Sequence, residues 1–286
     1  MTTSVSTPAT NPPLQIAFIG GGQMSRALIA GLRSAGSDHL ALSVADPYEP
    51  QRRALAADFP GLRVSADNDA VAAAADVWVL AVKPQQMPEV ARGLAALAPA
   101  RRPLVISVAA GIRASDLERW LGPTASVVRA MPNRPALVGA GVTALFASPM
   151  VDAAQRRLAE QLLAAVGSTV WVESDAAVDV ATAISGSGPA YFLRLIELLE
   201  AAAVDAGLSP VTASRLAIGT ALGTARLADE SGQSCAELRA SVTSAGGTTA
   251  AALAVLEGRD LRGIVNAAVR AAADRAAELA DEFGAR

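Results

Sequence analysis

The sequence predicts a fold in two parts, an α/β half built on a doubly wound parallel sheet and then an all-α half. Three observations lead there. Short β-rich runs alternate with Ala/Leu/Arg helical runs up to about residue 174, a triple-glycine turn joins the first of them to a helical pattern, and no convincing strand follows Asp175. Strands alternating with helices imply parallel βαβ units. The expected organisation is a tail over 1–13, a sheet domain over 14–173 and a helical domain over 174–286.

Met1 to Pro13 is rich in Thr, Ser and Pro and has neither the basic start nor the apolar core of a signal peptide, so a disordered tail is expected. Leu14 to Ile19 is the first strand. It runs into Gly20-Gly21-Gly22-Gln23-Met24-Ser25, which reads as strand, tight turn and helix. Gly20 permits the turn, Gly22 lets the backbone approach a pyrophosphate, and the amides that open the helix direct partial positive charge at that anion. Ser25 stands where the dinucleotide fingerprint has its third glycine, so the turn alone also fits an ordinary βα unit. With the alternating strands it points to a Rossmann-like domain.

The second strand, Ala41 to Ala45, ends at Asp46, where a carboxylate would hydrogen-bond the adenosine ribose of NAD and repel a 2′-phosphate. Arg52 and Arg53 lie one turn onward and would instead clamp that phosphate, or else form a solvated helix face. Val77 to Val82 reads as a buried strand ending in Lys83-Pro84. Lys83 is the only lysine among 24 basic residues, and it sits at a strand carboxyl end, where ligands bind in open α/β sheets. Leu104 to Val108 leads into Ala109-Ala110-Gly111, small residues suited to lie beside a ring. Ser126 to Met131 leads into Pro132-Asn133-Arg134-Pro135, a fixed loop with an amide side chain. Val142 to Phe146 and Thr169 to Val172 complete the strands. The single histidine, His39, precedes the second strand, remote in sequence from these turns, which argues against a histidine acid.

Helical patterns follow over about 175 to 206, 210 to 230, 234 to 257 with a Gly-rich interruption, and 260 to 283. They are Ala-rich and apolar on two sides, so a homodimer is expected to cover the excess. Ser185-Gly186-Ser187-Gly188-Pro189-Ala190-Tyr191 and Thr243-Ser244-Ala245-Gly246-Gly247-Thr248-Thr249 interrupt them with residues that are costly inside helices. Free amides flanked by hydroxyls suit a small carboxylate; a capped helix-to-helix turn is the plain alternative. A net charge of −3 argues against nucleic acid. One cysteine, Cys235, makes no internal disulfide and is a poor metal site, which fits a reducing, cytoplasmic compartment. No apolar run reaches the roughly 18 residues of a membrane span.

In order, Phe18 to Met24, Leu80 to Pro84, Val105 to Gly111, Arg129 to Asn133, Ser185 to Tyr191 and Val242 to Thr249 resemble the motifs of the pyrroline-5-carboxylate reductase family. The resemblance runs from about Leu14 to Leu279. It implies an NAD(P)H-binding domain followed by an all-helical dimerisation domain, with some relatives assembling dimers into decamers, and it favours NADP(H) while leaving NAD(H) open. Carried over, cofactor contacts fall on Gly20, Gly22, Gln23, Met24, Asn68, Ala81, Val82, Lys83, Pro84, Val108, Ala109 and Ala110. Substrate contacts fall on Ser244, Gly247, Thr248 and Thr249. The implied substrate is a cyclic imine bearing a carboxylate, reduced to proline, with Ser244 and the loop amides on the carboxylate and Thr249 hydrogen-bonded to the ring nitrogen. The chain departs from the family at Ser25, usually Ala or Gly, at Arg134, usually Thr, and at Ala245, usually Pro.

A β-hydroxyacid dehydrogenase resembles the first half, but such enzymes carry a catalytic lysine in the second domain and none follows Lys83. A non-catalytic dinucleotide-binding regulator would be expected to lose both Gly-rich segments of the helical half.

Overall fold

A computed structural model describes residues 12–36 and 39–285. Of the expected tail, residues 1–11 lie outside the described residues. In chain order come β1 (Leu14–Ile19), α1 (Gln23–Ser34), β2 (Leu40–Ala45), α2 (Glu49–Asp58), β3 (Arg63–Ser65), α3 (Asn68–Ala72), β4 (Val77–Leu80), α4 (Met87–Leu94), α5 (Ala98–Arg101), β5 (Leu104–Ser107), α6 (Ala114–Leu121), β6 (Ser126–Met131), β7 (Gly141–Ala147), α7 (Ala153–Ala164) and β8 (Gly167–Trp171). Helices alone follow: α8 (Asp175–Ala181), a π-helical turn over Thr182–Gly186, α9 (Gly188–Asp205), α10 (Pro210–Glu230), α11 (Cys235–Ser241), α12 (Thr248–Gly258) and α13 (Leu261–Gly284).

The strands form one sheet in the order β3-β2-β1-β4-β5-β6-β7-β8. β4 and β5 are buried at every residue, as befits continuous apolar runs covered on both faces. Their side chains alternate between two cores. Trp78, Leu80 and Val105 pack on one face with Met87, Leu117 and Trp120, while Val77, Val79 and Ile106 pack on the other with Phe18, Leu28 and Leu163.

The sheet departs from the sequence reading in two places. β3 was not foreseen: it is three residues long, pairs only with β2 and begins on exposed Arg63, so it carries no apolar run. β6 and β7 are antiparallel within an otherwise parallel sheet. Only a short 3-10 turn over Arg134–Val138 connects them, whereas parallel neighbours require a crossover of about a dozen residues or more.

The expected boundary near residue 174 follows composition, and the contacts divide the chain differently. One compact unit holds the chain as far as Gly186 together with the segment from Ala273 on; the other is Ser187–Ala272. α8 belongs with the sheet because the buried Arg129 of β6 pairs with Asp175 at 2.9 Å and Asp179 at 2.6 Å. In the second unit α9 packs on α10, but across α9 to α12 only Gly188, Ala213 and Ala217 are buried. Phe192, Val211, Ile218 and Val255 are all more than half exposed. Among the described residues no helix is long and apolar enough to cross a membrane.

Candidate active site

Parallel register brings the turns after β1, β2, β4 and β5 to the same edge of the sheet. Gly20 N–H donates to Ala45 O at 2.8 Å, Ala81 N–H to Ile19 O at 2.8 Å and Val108 N–H to Leu80 O at 3.0 Å. Asp46 N–H donates to Ser65 O at 3.0 Å, which adds the end of β3 and, beyond it, Asn68 at the start of α3. The proposed cofactor residues therefore all lie along the carboxyl edge. His39 lies at the opposite edge, its carbonyl accepting from Leu14 N–H, and has no part in this constellation.

Both peptide groups of Gly20 and of Gly21 are hydrogen-bonded within the protein. Gly20 adopts φ +97°, and a Cβ there would sit 2.8 Å from Ala81 O, so both backbone conformation and close approach require glycine. The Gly20 carbonyl accepts from Ser25 Oγ at 2.6 Å, the Gly21 N–H donates to Asp46 Oδ2 at 2.8 Å, the Gly21 carbonyl accepts from Gln51 Nε2, and the Gly22 carbonyl accepts from Arg26 N–H at 3.0 Å. Among the described residues, the N–H groups of Gly22, Gln23 and Met24 remain unpartnered. They open α1, whose N-cap Gly22 offers no side-chain cap, and a methyl group at Gly22 would meet no atom within 4 Å. A helix start with free amides facing open space fits the pyrophosphate of a dinucleotide.

Asp46 is already engaged inside the protein, since its second oxygen accepts from Tyr48 N–H at 2.9 Å. Arg52 holds the carbonyls of Asp46 and Pro47, each at 2.8 Å, through one nitrogen, which leaves the rest of its guanidinium for an anion. Arg53 pairs with Glu49 at 2.5 Å. Lys83 is exposed and caps the 3-10 turn Pro84–Gln86.

The Asn133 amide is consumed internally. Its Nδ2 donates to Ser185 O and its Oδ1 accepts from Val142 N–H, both at 3.0 Å, tying the end of β6 to β7 and to the π-helical turn. The end of that turn, Ser185 and Gly186, is the first part of the Ser-Gly segment singled out in the sequence. Thr182 and Ser185 hydroxyls donate back to Val178 O and Ala181 O, a pattern that supports widened helix turns.

In the second unit the Gly-rich segment links α11 to α12. Gly246 adopts φ +73°, Gly247 N–H donates to Ser244 O at 3.0 Å, and Gly247 is the N-cap of α12 without a side-chain cap. Thr248 and Thr249 are thus the first helical residues, with amides free of intrahelical partners. Among the described residues the hydroxyls of Ser244, Thr248 and Thr249 have no hydrogen-bond partner. This is a second uncapped helix start, with the hydroxyls of Ser244, Thr248 and Thr249 beside it.

Sequence reasoning missed Gln51, the Ser25 hydroxyl bond and the Arg129 cluster. Only Arg129 left a signal, an arginine inside an apolar strand run.

The family model described as "Pyrroline-5-carboxylate reductase dimerisation" matches residues 175–279, and that described as "NADP oxidoreductase coenzyme F420-dependent" matches residues 15–111. A pyrroline-5-carboxylate reductase of Pseudomonas aeruginosa is 46% identical, the match covering 94% of this chain and 98% of the relative. The solved pyrroline-5-carboxylate reductase of Coxiella burnetii is 42% identical with a TM-score of 0.90, over 94% of this chain and 99% of that one. The Plasmodium falciparum pyrroline carboxylate reductase, solved with NADP bound, is 28% identical with a TM-score of 0.81 at the same coverage.

Proposed function

This chain belongs to the pyrroline-5-carboxylate reductase family, and on that premise we propose that it reduces the cyclic imine of 1-pyrroline-5-carboxylate to proline with NAD(P)H. One observation supports the reading: the chain holds two uncapped helix starts suited to anions, one facing open space at Gly22 to Met24, the other ringed by hydroxyls at Gly247 to Thr249. The dinucleotide, when bound, supplies the hydride.

The residues bind and orient. Gly22, Gln23 and Met24 amides take the pyrophosphate; Asp46 and Asn68 flank the adenosine end; Ala81 to Pro84 and Val108 to Ala110 line the nicotinamide end. Ser244, with the amides of Gly247 and Thr248, takes the substrate carboxylate. Thr249 hydrogen-bonds the ring nitrogen. As hydride adds to the imine carbon, the C=N π pair moves to nitrogen, and the proton already there, or one from water, completes the amine. Positioning and electrostatics supply the catalysis.

NADP(H) is the preferred cofactor in this reading, with Arg52 reaching the 2′-phosphate from the first turn of α2. The assembly is a homodimer through the helical half, the unit from which a decamer would be built. The compartment is the cytoplasm, where the lone Cys235 stays a free thiol. Steady-state reduction of pyrroline-5-carboxylate with each dinucleotide is the test. Imine-dependent cofactor oxidation, faster with NADPH, is expected; dinucleotide binding without turnover would leave a non-catalytic regulator.

A further inference from the structure

The last turns of α13 fold back onto the sheet unit, beside one of the loops proposed to meet the cofactor. Gly111 closes that loop with φ +70°, and a Cβ on it would lie 3.1 Å from the Phe283 ring and 3.4 Å from Leu279 Cβ. Phe283 is 5% exposed and shares one apolar cluster with Ala109 and Ile112, against which Val82 and Leu279 also pack. Ala109 and Val82 come from the two loops that line the nicotinamide end in the reading above.

Polar contacts hold this segment in place on both sides of the ring. Arg113, two residues past Gly111, pairs with Asp281 at 2.7 Å, and Arg119 donates to Gly284 O at 2.5 Å. Gly284 packs so closely that a Cβ would fall 2.8 Å from Asp116 Oδ2. The contact is built by two glycines at close approach, Gly111 and Gly284, and by two arginines. Its target is the end of a loop in which Val108 and Ala109 pack on the sheet while Ala110 is exposed and Gly111 has no side chain, so the Phe283 ring is what bears on the Gly111 backbone.

We propose that Phe283 is a positioning residue for the cofactor: pressed against Gly111, it holds the Val108–Gly111 loop in the conformation that receives the nicotinamide end. The proposal rests on the reading that this loop contacts the dinucleotide. Phe283 itself touches neither cofactor nor substrate in this account, and it acts through the loop.

The test is steady-state kinetics of full-length Phe283→Ala and Phe283→Leu, with melting curves to identify folded protein. In Phe283→Ala the cofactor KM should rise about tenfold, equivalent to about 1.4 kcal/mol, while kcat at saturating cofactor and the imine KM stay near wild type. Phe283→Leu, which keeps part of the contact, should raise the cofactor KM about threefold, between wild type and the alanine variant, and it serves alone if the alanine variant does not fold. A merely structural role would lower the fraction of active protein and leave KM unchanged; that result in whichever variant folds overturns the proposal. Ala110→Phe separates it from its premise, because Ala110 is exposed on the loop. An unchanged cofactor KM there refutes the loop as a cofactor contact, and the proposal with it. A raised KM in Ala110→Phe beside unchanged KM in the Phe283 variants refutes the positioning role alone.

Discussion

The buried Ser25 hydroxyl donates to the Gly20 carbonyl at 2.6 Å, closing the glycine turn from inside its own helix. Ser25→Ala leaves the carbonyl short of a donor, a loss of about 1–3 kcal/mol for a buried group. Denaturant unfolding should register that loss with little change in cofactor KM, since Gly22 to Met24 keep their amides. Unaltered stability would mean that the bond contributes nothing net.

Gly22→Val places a branched side chain in the open space above the free amides. Nothing in the protein obstructs it, so the fold should survive. Cofactor affinity should fall by about 10- to 100-fold, or about 1.4–2.8 kcal/mol, as the pyrophosphate loses its seat. Isothermal titration with NADPH reads this directly, and wild-type affinity would reduce the turn to a structural element.

Thr249→Val keeps the branched shape and removes one hydroxyl. A hydrogen bond to a charged group contributes about 1.5–3 kcal/mol, so kcat should fall roughly 10- to 150-fold, each 1.36 kcal/mol being about tenfold. Thr249→Ser should retain most of the rate. Near wild-type turnover in the valine variant would pass the ring-nitrogen hydrogen bond to water or another group.

Self-association should respond to charge on the uncovered helix faces. Phe192 is 69% and Ile218 52% exposed, so Phe192→Glu with Ile218→Glu should spare the fold of a single chain yet abolish assembly. Sedimentation velocity should show dimer or larger for the wild type and monomer for the double variant. A wild type that sediments as a monomer at micromolar concentration would remove the dimer from the account.

Much of this was legible because apolar runs and glycines speak locally. Val77-Trp78-Val79-Leu80 announces a buried strand, and Gly20 to Gly22 announce a turn, since both signals depend only on neighbours. What could not be read depends on partners distant in the chain. β3 exists because Ser43 to Ala45 offer an edge to Arg63 to Ser65. Asn133 was visible as an amide in a fixed loop, but nothing nearby says that Ser185 and Val142 consume it. Likewise Asp46 sits where a ribose acceptor belongs, while its bonds to Gly21 and Tyr48 emerge only once α2 is folded over the turn. The Gly247–Thr249 helix start was recognisable as an interruption, but its missing cap is a property of the folded backbone.

The division of the chain into units also has a consequence during synthesis. Residues 187–272 lie between the eight strands and the α13 segment that packs beside them. At about 5–20 residues per second, a ribosome has delivered the whole sheet several seconds before Phe283 emerges. Throughout that interval the nascent sheet unit exposes an apolar seat beside Ile112 and Leu117, open to chaperones and to other nascent chains.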